Sequence, residues 1–405
     1  MSYVGPNLEL LENVGYYGGL NGGGDEVSDQ AYRISTDNGR SWPLSGPIVP
    51  SSTNVIYKGE NVFEGSGNAR LYDPQAGVTV ELWLRQVANG VGEYSPHTYS
   101  RLSWDQGATW SSPTALRYEA GPEFDPDNPL DPNYFTTNTG YFSNSIIKLS
   151  NGNILAVLGR GGATNQYGFG MSSRCMIGAW NASNNDYQWT AGSPTTISPD
   201  LSSMGPDEPD AAQLKDGRVL VVWRGMATGT TPTQKYCGIA TIAADGITTT
   251  LGPVAELKYD DGTEFYSQCS YNRLIRSSAT GKLYWIGNMG ATGWGQERYP
   301  LVIAEVDETG IIPSLIKDTV TVIDDRKPDQ PAAIQFSNFA LLEDRETHAL
   351  NLYVTTLGED PNNFLSADCY KYVVTLHVPE PSSIGLLGTG ALVLAMVALV
   401  RRRRS

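Results

Sequence analysis

The sequence predicts an all-β body followed by a single apolar C-terminal helix, and three observations predict it. Gly (44), Tyr (22) and Trp (9), with abundant Ser and Thr, outweigh helix formers, and no long stretch of period 3.6 precedes the C-terminus. An apolar strand, a Gly- or Asp-bearing turn and a second apolar strand recur along the chain. Finally, the chain closes on an uncharged apolar run bounded by arginines. With 405 residues and 40% hydrophobic content, it can bury one large core or two ordinary ones.

The recurring hairpin is clearest at Ile146-Ile-Lys-Leu-Ser-Asn-Gly-Asn-Ile-Leu-Ala-Val-Leu-Gly-Arg160 and at Ala212-Gln-Leu-Lys-Asp-Gly-Arg-Val-Leu-Val-Val-Trp-Arg224. Further copies start at Ala69, Arg273 and Phe339. Their spacing of about 60 to 80 residues suits a four-stranded blade with a sizeable rim loop. Five copies and an incomplete first blade predict a six-bladed β-propeller over residues 1–376.

Formal net charge is −15, and the terminal run Arg401 to Arg404 makes the rest more acidic still. That excludes the basic face on which nucleic-acid binding depends. Cys175, Cys237, Cys269 and Cys369 form no CxxC pair, so they predict no zinc site; disulfides and buried thiols both remain open. His97, His348 and His377 are scattered and suggest neither a metal cage nor a Ser-His-Asp relay.

Residues 377–383 form a linker containing Pro379-Glu380-Pro381, residues 384–400 an apolar run, and residues 401–405 a basic end. About 17 apolar residues lie near the lower limit for a bilayer-spanning helix, and the arginines should stay cytoplasmic. This three-part order resembles the PEP-CTERM sorting signal of Gram-negative bacteria. The resemblance implies export, anchoring at the membrane or cell surface, processing by an exosortase-type enzyme and association with exopolysaccharide. Met1-Ser-Tyr-Val-Gly-Pro lacks a basic start and an apolar h-region, so an export signal is expected upstream of it.

Ser35-Thr-Asp-Asn-Gly-Arg-Ser-Trp42 and Ser103-Trp-Asp-Gln-Gly-Ala-Thr-Trp110 share the pattern Ser-x-Asp-x-Gly-x-x-Trp. Asp37 and Asp105 can accept backbone N–H bonds across a tight turn, Gly39 and Gly107 can supply positive φ, and Trp42 and Trp110 can pack on the blade. Together with the blade-length repeat, the pattern resembles the BNR or Asp-box repeat of sialidase-like propellers. Degenerate copies are expected near Ala179 to Trp189 and Ala304 to Gly310.

Glu208 and Arg224 lie symmetrically about the Asp216-Gly217 turn, so both should return to the same rim. Their stretch resembles the sialidase segment that carries a catalytic glutamate and an arginine for a sugar carboxylate. The resemblance implies a second arginine at Arg298 and a general acid/base at Asp25. Arginines would grip a carboxylate through forked hydrogen bonds; the plainer reading is a rim ion pair. Asp207 is an alternative partner for Glu208. Trp223, Trp285, Trp294 and Tyr299 flank strand ends, where they can stack on sugars or pack in blades. Where the resemblance requires a nucleophilic tyrosine, the chain has Phe336, which has no oxygen to attack a sugar. Asp125, Asp127, Asn128 and Asp131 offer hard oxygens suited to Ca2+, without EF-hand order; a proline-stiffened rim loop is the competing reading. The expected activity is hydrolysis of an extracellular glycan, and the alternative is a non-catalytic propeller that binds exopolysaccharide or a surface protein.

Overall fold

The computed structural model describes residues 1–17, 27–42, 49–57, 60–88, 94–119, 128, 131–160, 171–295, 297–376 and 402–403. Regular secondary structure among the described residues is almost wholly β, with one short helix, Pro132–Thr136, and one 3-10 turn, Lys317–Thr319. Two compact units divide the chain, Met1–Glu256 and Leu257–Ser405.

In the first unit, eight antiparallel strands run in chain order through one sheet, from Ser2–Tyr3 to Thr114–Ala115. This sheet holds two blade-length meanders joined where Val49–Tyr57 pairs with Glu60–Asp73. A third meander contains Tyr141–Lys148, Ile154–Arg160, Ser172–Asn181 and Asp186–Ala191. The fourth contains Asp207–Gln213, Val219–Arg224, Lys235–Ile242 and Thr249–Leu251. The second unit supplies a meander opened by Arg273–Arg276 and Leu283–Asn288, and another built on Phe339–Glu343, Leu350–Thr355 and Cys369–Val374. Four blades and two blades give the six that the repeats predict.

Packing explains why the inner strands are apolar without alternation. Ile154, Ala156 and Leu158 share a core with Val78, Val80 and Leu82 of the second blade. The intervening Leu155 and Val157 pack with Val219, Val221 and Trp223 of the fourth. Successive side chains of one strand thus serve opposite interfaces, so neither face can be polar. Fully burying each such Val, Leu or Ile side chain contributes about 1.5–3 kcal/mol.

Both Ser-x-Asp-x-Gly-x-x-Trp segments form the same turn. Asp37 accepts from the Ser41 amide at 2.9 Å and from the Ser41 and Ser35 hydroxyls, while the Gly39 amide donates to the Ser35 hydroxyl at 3.0 Å. These bonds, those from Ser41 foremost, hold the Asp37 carboxyl down at about 2. Asp105 repeats the pattern with Thr109 and Ser103. Trp110 then packs against a core of Val4, Leu11 and Tyr32. At the degenerate sites, Asn181 and Asp307 each take one backbone amide across their turns. Asp245 makes a fuller version, accepting from the Thr248 amide and hydroxyl, although its sequence lacks the motif.

None of the four cysteines forms a disulfide: Cys175, Cys237 and Cys269 are buried and Cys369 is half-buried. Burial alone pushes the Cys175 and Cys237 thiols up to about 12. Among the described residues no helix is long and apolar enough to cross a membrane. The apolar run 384–400 and the Pro379-Glu380-Pro381 triplet lie outside the described residues.

Candidate active site

The fourth blade positions the candidate centre through one tight reversal. The Leu214 amide donates to the Arg218 carbonyl at 2.7 Å, Asp216 takes the Arg218 amide at 3.0 Å, and Gly217 adopts φ 90°. From there the two strands return so that Asp207 pairs with Arg224. Register shifts between Asp207 and Asp210, which leaves Glu208 and Pro209 in a bulge. Glu208 sits at φ 41°, a conformation costly for any residue with a Cβ and the kind of strain that accompanies functional sites. The kink separates two adjacent carboxylates: the Glu208 side chain is 30% exposed, that of Asp207 only 8%.

One guanidinium faces both. Arg224 Nη1 lies 2.7 Å from Glu208 Oε2, and its Nε lies 3.6 Å from Asp207 Oδ2. Asp207 Oδ1 also accepts the Glu208 amide at 2.8 Å and the Tyr141 hydroxyl. Burial, then the charge of Glu208, push the Asp207 carboxyl up to about 6 against the opposing pull of Arg224. Burial and the same two carboxylates drive the Tyr141 phenol well above its usual range. Asp207 can therefore keep a proton in mildly acidic solution behind a more open carboxylate.

No sequence motif points to Tyr141. It belongs to the third blade, where it pairs with Gly159. A Cβ at Gly159 would lie 2.8 Å from the Tyr141 ring, so only glycine admits that ring. A glycine ending an otherwise apolar strand was the available signal, and it named no partner.

Asp25 lies outside the described residues, as do Asp125 and Asp127. Asp131 caps the short helix by accepting the Asn133 amide at 2.8 Å, and no metal-suited cluster occurs among the described residues. Trp223 and Trp285 are fully buried, which removes them as sugar platforms: an indole enclosed by core side chains offers no face to a ligand. In the second unit, Trp294 is 57% exposed. Arg298 reaches Ser337 Oγ at 3.3 Å, and Arg326 lies over the half-buried Tyr299 ring. Phe336 is fully buried in that unit's core with Phe339 and Leu352, so it lines no pocket. His97 stacks on Tyr134 at 3.8 Å, and burial pushes its imidazole down to about 3.

A family model, the PEP-CTERM protein-sorting motif, matches residues 377–404. Such a motif implies export and membrane anchoring in Gram-negative bacteria, with exosortase-mediated processing. No curated protein matches the chain in sequence. Among solved structures, a protein of unknown function from Dyadobacter fermentans is similar at 13% identity and TM-score 0.53, over 87% of this chain and 89% of that one. The NanB sialidase of Streptococcus pneumoniae is similar at 13% identity and TM-score 0.55, over 90% of this chain and 65% of that one. A Hadza microbial sialidase, Hz136, is similar at 12% identity and TM-score 0.50, over 80% and 57%. This chain thus spans under two thirds of either sialidase. At such identities the likeness shows the fold and leaves the activity to be tested. The chain thus has the six-bladed β-propeller fold seen in these sialidases, and its residues 377–404 match the PEP-CTERM sorting motif.

Proposed function

We propose that the protein is an exported glycoside hydrolase acting on an extracellular glycan, with Glu208 as its reacting carboxylate. The observation that carries this reading is the bulge at Glu208: a strained residue, partly exposed, held by Arg224 and backed by a buried carboxyl that retains a proton into the mildly acidic range. In these roles Glu208 meets the sugar, Arg224 fixes its direction and Asp207 sets the local charge. Asp25 supplies the second carboxyl that glycoside hydrolysis requires. The two Ser-x-Asp-x-Gly-x-x-Trp turns are Asp boxes with a structural role. The hydrolysis does not use a tyrosine at position 336, because Phe336 has no hydroxyl and sits in the core.

The test is turnover by the full chain on a panel of aryl glycosides and on bacterial exopolysaccharide. Glu208→Gln should lower kcat by about 10²- to 10⁴-fold, the range of a lost acid–base group. Absent turnover, or turnover unchanged in Glu208→Gln, would favour the second reading, a non-catalytic glycan-binding propeller. That reading draws on the ion pair itself, in which Arg224 already neutralises Glu208.

A further inference from the structure

We propose that Arg160 and Arg174, with Tyr118 and Glu119, form a second subsite on the third blade that takes a carboxylate-bearing sugar residue. That the carboxylate belongs to a glycan rests on the proposed function.

Arg160 ends Ile154–Arg160 as Arg224 ends Val219–Arg224, so each closes the second strand of its blade. Its neighbour Gly159 pairs with Tyr141, whose hydroxyl donates to Asp207. The third-blade arginine therefore stands one residue from the link to the candidate centre. Across the ladder Arg160 pairs with Ser172, and Arg174 lies two residues further along the same strand. Period-two alternation puts Arg160, Ser172 and Arg174 on one face. Tyr118 covers that face: its hydroxyl bonds to Ser172 Oγ at 2.9 Å, and the Arg160 and Arg174 guanidiniums lie 5.8 and 4.7 Å from its ring centroid.

Among the described residues the two arginines are paired unequally. Glu119 pairs with Arg160 at 2.6 Å. Arg174 donates from Nη1 to the Tyr118 carbonyl at 2.7 Å, and its Nε is buried with no hydrogen-bond partner. Arg174 thus stands beside Arg160 with no carboxylate bonded to it among the described residues. Leaving a half-buried cation without a counter-charge is unfavourable, and a planar carboxylate suits the guanidinium fork. The aromatic face of Tyr118 adds the apolar surface on which a sugar ring rests. Glu119 is then the internal competitor for the incoming anion.

That competition gives the test an unusual sign. Binding of trigalacturonate and of neutral galactotriose to the full, detergent-solubilised chain is measured by calorimetry at low salt. Glu119→Gln should tighten trigalacturonate binding about 3- to 10-fold, and Arg174→Gln should weaken it at least about 10-fold. Neither should change galactotriose binding. If trigalacturonate binds no more tightly than galactotriose, or if both variants leave its Kd unchanged, the subsite is wrong and Arg174 is a clamp on the Tyr118 segment. Should Arg174→Gln fail to fold, the sign of the Glu119→Gln effect decides alone. Turnover separates the two proposals: no turnover by the wild-type chain, or turnover unchanged in Glu208→Gln, together with trigalacturonate binding that still follows Glu119 and Arg174, would discard the hydrolase and keep the subsite.

Discussion

Asp207 shows how neighbours set the behaviour of a single residue. Its carboxyl is pushed up to about 6, against about 3.9 in an unfolded chain, so the folded state holds a proton that the unfolded state has released between those values. Its contribution to stability is therefore fully present below about pH 4 and is lost as pH rises through 6, a change on the order of 2 kcal/mol. Asp207→Asn should lack this dependence, so the Tm difference, wild type minus variant, should grow as pH falls from 6 to 4. A flat difference would contradict the burial argument. His97 acts with the opposite sign, since an imidazole pushed down to about 3 costs stability as pH falls below 6.5; comparing variants at each pH cancels it. Glu208 and Arg224 were legible because both belong to one hairpin with a marked turn. Tyr141 was not, because its partner Asp207 lies far along the sequence on another blade.

At the scale of an element, two glycines with nearly equal torsions differ in what surrounds them. Gly107 has φ 89°, and a Cβ there would lie 2.8 Å from Leu11 Cδ1; Gly217 has φ 90° and nothing within 4 Å. Gly217→Ala should cost about 1 kcal/mol through the backbone alone, whereas Gly107→Ala adds a clash and should cost about 2–4 kcal/mol. Urea unfolding of the two variants measures the gap, and equal midpoints would mean that Leu11 gives way freely. The tight turns were readable because their chemistry is local: glycine, aspartate and a following hydroxyl. Roles of the tryptophans were harder to read. In a strand whose two faces both enter cores, burial leaves no alternating signature, so nothing in the pattern separated Trp223 and Trp285 from the exposed Trp294.

For the whole molecule, blade-length repetition made the architecture readable, since each blade buries its faces only against neighbours of like build. The sorting tail was readable from its order of triplet, apolar run and arginines. Replacing Glu380 with Ala should block processing, so that an immunoblot of the membrane fraction shows the uncut chain accumulating. Equal processing of wild type and variant would detach the triplet from recognition.

The thiols of Cys175 and Cys237, sealed inside the third and fourth blades, carry a consequence for a protein that bears a sorting motif. Sulfur held in its protonated form reacts slowly with oxidants and with other disulfides. While the third and fourth blades stay folded, these two thiols should be indifferent to whether the surrounding compartment is reducing or oxidising.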